Sequence, residues 1–179
     1  NTLTSLMEWI ETDVERGTEF IAELADEFRM MSKVSSKQLI EIKDEIELCE
    51  RHLALMSLRL QKTCRLSQEG LAGTELIPPA IFHTLLENAF SHNVFEQSEV
   101  VFTLSKHKVD KGQTRFASKA PRGGVSESSY SKLGTGTGNQ YIEARLGQSF
   151  GQNWQMKEVV DDSYWTTEIV VDYTKLKPL

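Results

Sequence analysis

The sequence predicts an α+β protein in which an N-terminal antiparallel helical hairpin precedes a two-layer α/β sandwich. Apolar residues repeat at helical spacing over the first third of the chain, strand-like runs follow from residue 99, and turn-forming residues separate the two parts. Because 179 residues suffice for a small helical unit and a compact α/β unit, we expect units at 1–65 and 66–179.

The first unit contains two stretches with alternating three- and four-residue apolar spacing. The longer stretch comprises Leu39, Ile42, Ile46, Cys49, Leu53, Met56 and Leu60. An earlier one follows a helix break expected at Gly17 and comprises Ile21, Leu24, Phe28 and Met31. Two such hairpins would bury their apolar seams in a dimeric four-helix bundle. The alternative is a hairpin that packs only on its own C-terminal unit.

Glycines and prolines between residues 62 and 79 interrupt this periodicity and mark the second unit. A helix is predicted from Pro79 to Asn93, since proline is tolerated in a first helical turn, and a shorter helix over Tyr141–Phe150. Strands are predicted over Glu99–Leu104, Thr114–Ser118, Gln155–Val160 and Tyr164–Tyr173. Their mostly antiparallel order indicates a two-layer α+β sandwich rather than a doubly wound sheet.

Composition excludes several classes of function. The net charge is −6, and no run of Lys or Arg offers the positive surface that nucleic acid binding requires. Two cysteines, Cys49 and Cys64, are too few for a disulfide framework and lie too far from other soft ligands for a zinc site. No stretch approaches the roughly 20 apolar residues of a membrane span, so we expect membrane attachment only through regions outside this chain.

The string IPPAIFHTLLENAFSHN, residues 77–93, places polar side chains along one side of a helix. They are Thr84, Glu87, Asn88, Ser91 and His92. An amide oxygen is a hard ligand for Mg²⁺, and an imidazole can donate to a phosphate oxygen. A solvated helix face would have the same spacing, so the pattern by itself leaves both interpretations open.

A second string, GTGTGNQYIEARLGQSFG at residues 134–151, places Gly134, Gly136 and Gly138 before a helix. Glycines allow backbone N–H groups to approach a phosphate closely, and a helix N-terminus adds partial positive charge. A flexible loop without a ligand would show the same composition.

In this order and separation, the two strings resemble the nucleotide-binding domain shared by histidine kinases, gyrase, Hsp90 and MutL. The resemblance is strongest to the LytS-like sensor histidine kinases, whose stretches read approximately IPPLLLQPLVENAIKHG and GTGIGLxNVRERL. Residues 40–60 are similar to the family segment LxxELxxxxxYLxIxxxRF, with His52 at the position of Tyr. We expect His52 to be a packed helix residue. The opening NTLTSL resembles the end of the motif HFLFNxLN, which implies a phosphoacceptor His about three residues before Asn1.

The resemblance implies ATP-dependent autophosphorylation and transfer of the phosphoryl group to a response regulator of the LytTR type. It implies that Glu87 polarises the acceptor histidine and that Asn88 binds Mg²⁺. The other residues implied to bind ATP are His92, Asn93, Gly134, Gly136, Gly138 and Arg145. It also implies a homodimer and the cytoplasmic part of a bacterial sensor anchored in the inner membrane.

The chain departs from the family at the adenine side of the site. The superfamily carries an Asp-x-Gly-x-Gly element there, whereas this chain reads RFASKAPRGGVS, with Lys119 or Ala120 near the position of the Asp. Loss of that acceptor predicts nucleotide affinity lower by about 10- to 100-fold. The alternative function is therefore a nonenzymatic dimerisation and partner-binding module with weak or no ATP binding. A gyrase-type ATPase is disfavoured, because Thr84 stands where those enzymes place a water-activating Glu.

Overall fold

The computed structural model describes Trp9 and residues 12–110, 112–125 and 137–175. The α-helices are α1 Val14–Ser35, α2 Ile42–Leu60, α3 Ile81–His92 and α4 Thr137–Phe150. The strands are β1 Ile40–Glu41, β2 Thr63–Glu69, β3 Leu76–Ile77, β4 Asn93–Val94, β5 Glu99–Asp110, β6 Gln113–Pro121, β7 Gly124–Val125, β8 Trp154–Val160 and β9 Tyr164–Asp172. A 3₁₀ turn, Tyr173–Lys175, follows β9.

The main sheet has five strands in the order β2-β5-β6-β9-β8. Strand β2 is parallel to β5, and the other neighbours are antiparallel. Strand β2 was not predicted, because it falls where the boundary between the two units was expected. As an edge strand, β2 buries only the side chain of Cys64 and therefore lacks the apolar alternation that identifies a half-buried strand.

Helices α2, α3 and α4 cover one face of this sheet, which confirms the predicted α+β class. The strands contribute alternate residues to the core, including Phe102 and Leu104 from β5, Phe116 from β6, and Ile169 and Val171 from β9. Helix α4 adds Ile142, Leu146 and Phe150. Inward and outward side chains alternate because successive Cβ atoms of a strand point to opposite faces.

The seam predicted on α2 is buried in this same core. Its members Ile42, Ile46, Cys49, Leu53 and Met56 are at most 8% exposed. The prediction that this seam forms a dimer interface is therefore wrong, because the sheet and α3 of the same chain already cover it. The division into units 1–65 and 66–179 remains a prediction, and α2 contributes to the core of the sheet.

Helix α1 packs antiparallel against the opposite face of α2. Near its start, Phe20 contacts Leu55, and near its end, Met30 and Val34 contact Leu48. The predicted break at Gly17 is wrong, since α1 begins at Val14 and continues through that residue. The Asp13 side chain accepts from the Arg16 backbone N–H and caps the helix, and the buried Phe20 packing offsets the roughly 1 kcal/mol that a helical glycine costs.

The outer side of α1 keeps an apolar row at heptad spacing. Val14, Ile21 and Phe28 are 67%, 46% and 66% exposed. Leu24 and Met31, which the sequence placed on the same seam, are partly buried against α2 and its neighbours. Among the described residues, no helix combines the length and apolar character that a membrane span requires.

Candidate functional site

The start of α3 is held by a carboxylate from another helix. Ala80, the N-cap residue, has a left-handed backbone with φ 62° and offers no capping side chain. Instead Glu45 of α2, which is fully buried, accepts from the N–H groups of Ala80 at 2.7 Å, Phe82 at 2.7 Å and His83 at 3.2 Å. Burial raises the pKa of Glu45, and the three N–H donors act in the opposite direction. The carboxylate thus satisfies donors that a helix N-terminus leaves unpaired.

Asn88 and the start of α4 meet directly. Asn88 is half-buried on α3, and a Cβ placed on Gly138 would lie 2.6 Å from both terminal atoms of the Asn88 amide. Glycine permits this approach, whereas a side chain at position 138 would displace the Asn88 amide. The structure therefore brings together two of the residues that the sequence singled out, from strings about 50 residues apart.

Two residues of the second string, Asn139 and Tyr141, connect α4 to its neighbours by hydrogen bonds. The Asn139 amide donates to Glu158 of β8 at 2.9 Å, and the Tyr141 hydroxyl donates to the Pro79 carbonyl at 3.4 Å. Burial raises the pKa of Tyr141, which keeps its hydroxyl protonated. These contacts connect α4 with the sheet edge and with the entry to α3.

Glu87 is exposed, one residue before Asn88 on α3. Its Oε2 atom lies 3.5 Å from Nδ1 of the buried His83, one helical turn earlier. The other nitrogen of His83 lies 2.7 Å from the Glu27 carboxylate of α1. Burial lowers the pKa of His83, but the hydrogen bond to Glu27 and the charges of Glu87 and Glu27 outweigh burial and raise it overall. A predicted catalytic residue is thus connected to α1 through a histidine.

Asn93 has a structural contact that the sequence did not predict. Its side-chain N–H donates to the Ala89 carbonyl at 2.8 Å, and its oxygen accepts from the Gly123 N–H at 3.3 Å. Strand β4, which begins at Asn93, pairs antiparallel with β7. Asn93 therefore joins the end of α3 to the segment leaving β6.

The remaining predicted site residues are distributed as follows. His92 is exposed in the last turn of α3, on the helix that presents Glu87 and Asn88. Arg145 of α4 donates to the Lys37 carbonyl at 2.9 Å, so it contacts the segment between α1 and α2. Gly134 and Gly136 lie outside the described residues.

Lys119, near the position where the resemblance leads us to expect the Asp, lies beside an aromatic ring. The Lys119 ammonium lies 3.8 Å from the centre of the Tyr164 ring. Ala120, the next residue of β6, is partly buried and packs against the core. Neither side chain can accept a hydrogen bond from an adenine amino group.

Sequence reasoning missed Glu27, Glu45 and His83. Each depends on contacts between helices, which helical periodicity in one segment does not reveal. His83 had one signal in the sequence, because it stands where the quoted family motif has Gln. His52 is buried, as expected, and a hydrogen bond to Glu27 at 2.9 Å accompanies its packing.

Comparisons with known proteins find similarity to histidine kinases and to a sensor protein. A family model described as histidine kinase matches residues 1–64. The sensor protein LytS of Bacillus cereus is 27% identical over 164 residues, which cover 85% of this chain and 28% of that protein. The chain therefore spans less than a third of the length of this curated relative.

Solved structures support the fold. The histidine kinase domain of the Erythrobacter litoralis blue-light activated histidine kinase matches 97% of this chain and 87% of its own, with TM-score 0.53 and 13% identity. The Acinetobacter baumannii histidine kinase AdeS matches 98% of this chain and 96% of its own, with TM-score 0.53 and 14% identity. Together with the sequence matches, these findings confirm the predicted resemblance: most of the chain is similar in sequence to LytS sensor proteins, and its fold resembles that of histidine kinase domains.

Proposed function

We propose that this chain is the cytoplasmic catalytic region of a two-component sensor histidine kinase anchored in the bacterial inner membrane. It uses ATP to phosphorylate a histidine just upstream of Asn1 and passes the phosphoryl group to a response regulator, of LytTR type. The observation that supports the proposal most is the contact between Asn88 and Gly138, because it joins the asparagine-containing helix to the glycine-rich segment.

The described residues fit a magnesium-bound triphosphate. Asn88 offers a partly exposed hard oxygen ligand, and Gly138 lets the start of α4, with its backbone N–H groups, lie directly beside that ligand. Bound Mg²⁺ neutralises charge on the phosphate oxygens. Glu87 accepts a hydrogen bond from the acceptor histidine and orients its attacking nitrogen. Its exposure leaves the carboxylate accessible to a second helix.

We expect Lys119 and Tyr164, instead of a carboxylate, to line the adenine side of the nucleotide site. Without the Asp acceptor, the adenine amino group loses one hydrogen bond, which costs about 1–3 kcal/mol, or about 10- to 100-fold in affinity. We therefore expect Mg-ATP to bind weakly and mainly through its phosphates.

The proposal is tested with a chain extended to include the upstream histidine. We expect calorimetry to detect Mg-ATP binding that disappears when EDTA removes the metal, and label from the γ-phosphate to appear on the protein. Absence of both binding and labelling would contradict the kinase proposal and favour the nonenzymatic partner-binding module. Labelling that survives loss of the upstream histidine would contradict the proposed acceptor.

Dimerisation is assigned to α1 rather than to α2. The exposed row of Val14, Ile21 and Phe28 repeats every seven residues, which is the spacing of a packing seam between helices. Two copies joined along this row would form a four-helix arrangement from two α1–α2 hairpins.

Phe28→Glu is expected to dissociate this dimer, because it places a charge in the apolar row and removes its one aromatic side chain. We expect at least about a tenfold weaker dimer, as is usual when an aromatic anchor is lost. Analytical ultracentrifugation over a concentration series measures the change. Ala22→Glu is the matched control, since Ala22 is exposed on α1 beside the row. Equal dimer dissociation constants for the two variants would argue against α1 as the interface.

A further inference from the structure

Three buried side chains from three helices converge on one point beneath α3. Glu27 of α1, His52 of α2 and His83 of α3 are 7%, 7% and 2% exposed. Their ligand atoms lie within 4.8 Å of one another. Both rings face the same oxygen, Oε1 of Glu27, with Nδ1 of His52 at 2.9 Å and Nε2 of His83 at 2.7 Å.

Hydrogen bonding within the cluster leaves several polar atoms without partners. Glu27 Oε2, His52 Nε2 and His83 Nδ1 are buried and have no hydrogen bond. Buried polar atoms are rarely left unpaired in proteins, and such atoms call for an explanation. The cluster combines one carboxylate with two imidazoles.

We propose that Glu27, His52 and His83 form a binding site for Zn²⁺ that connects α1 to the helix presenting Glu87. Two imidazoles and one carboxylate are a known zinc ligand set, with a fourth position left for water. Ligand atoms about 2.0–2.2 Å from a common Zn²⁺ lie about 3–3.5 Å apart, so each distance from a histidine nitrogen to Glu27 Oε1 would lengthen by about 0.5 Å on binding. Bidentate binding by Glu27 would instead fill the fourth position with its Oε2 atom, which has no hydrogen bond otherwise.

The second nitrogen of His83 supports this assignment. When Nε2 binds the metal, the ring proton resides on Nδ1, which faces Glu87 Oε2 at 3.5 Å. Metal-binding histidines commonly donate their other N–H to a carboxylate in this way. A nitrogen that binds the metal must be deprotonated, so zinc binding shifts any proton on the nitrogens that face Glu27 to the other ring nitrogen or releases it.

The two histidines distinguish this chain from the motifs it resembles. Those motifs carry Tyr at the position of His52 and Gln at the position of His83. Imidazole ligands favour Zn²⁺ and related transition metals, whereas Mg²⁺ prefers oxygen ligands. The site is thus chemically separate from the Asn88 site, although both involve α3.

The test uses the whole chain without nucleotide, so its failure would leave the kinase proposal intact. After treatment with a chelator, we expect calorimetry to show one Zn²⁺ per chain, and Co²⁺ to give the visible absorption of a four-coordinate site. His52→Tyr, His83→Gln and Glu27→Gln should each weaken zinc binding by at least about 100-fold, beyond the 10- to 100-fold typical of outer-shell partners. His107→Gln, at an exposed position of β5, should leave it unchanged.

Two results would overturn the proposal. One is a wild-type chain that shows neither saturable zinc binding nor the cobalt absorption. The other is zinc binding that His52→Tyr and His83→Gln leave unaltered while circular dichroism shows both variants folded. If a variant unfolds, the wild-type stoichiometry and cobalt spectrum decide the question.

Discussion

Asn88→Ala is expected to reduce Mg-ATP binding by about 100-fold or more and to abolish label transfer, because it removes a ligand oxygen from a charged site. Alanine has a high helix propensity, so α3 should persist. Loss of the amide also leaves an empty space beside Gly138, which the backbone of α4 cannot fill. Calorimetric titration with Mg-ATP and phosphorylation of the extended chain measure the two effects.

Asn153→Ala is the matched control for this variant. Asn153 precedes β8, and its side chain only contacts the Lys175 carbonyl at 3.5 Å. We expect nucleotide affinity within about twofold of the wild type, since ΔΔG at such surface positions is usually within 0.5 kcal/mol. Unchanged Mg-ATP affinity in Asn88→Ala would remove Asn88 from the site, even if the chain binds ATP by another route.

Glu45→Ala is expected to cause the largest loss of stability. The substitution leaves the N–H groups of Ala80, Phe82 and His83 buried and without an acceptor. Each unpaired donor costs about 1–3 kcal/mol, so we expect the free energy of unfolding to fall by roughly 3–5 kcal/mol. Urea unfolding followed by circular dichroism measures this loss.

Two variants isolate the cause of that loss. Glu45→Gln retains one oxygen acceptor and should be less destabilising than Glu45→Ala, because two of the three N–H groups share Oε1. Glu47→Ala removes an exposed carboxylate from the same helix, together with its ion pair to Arg51, and should cost no more than about 0.5 kcal/mol. A Glu45→Ala loss below about 1 kcal/mol would refute the capping role.

The Glu45 cap also links stability to function. The carboxylate orients the first turn of α3, and Glu87 and Asn88 follow on the next turns of that helix. If the helix start shifts, both side chains shift with it. We therefore expect Glu45→Gln to weaken nucleotide binding even where the chain remains folded. The loss of affinity should grow with the displacement of the start of α3.

The sequence determined the α+β class, four of the five strands of the main sheet and the pair of strings around Asn88 and Gly138, since these depend on local periodicity and on motifs. It did not identify β2, whose edge position lets polar residues replace the alternating pattern. The helical periodicity of α2 was also read correctly as a buried face. The periodicity of one helix does not reveal which other element covers its buried face.

Only the tertiary structure decided three features. It packed the α2 seam against the sheet and placed α1 on the opposite face of α2, so that the outer row of α1 stays exposed. It brought Glu45 to the start of α3. It also gathered Glu27, His52 and His83, which are up to 56 residues apart, around one carboxylate oxygen. Such contacts depend on helix packing in three dimensions, which residue spacing along a single segment does not specify.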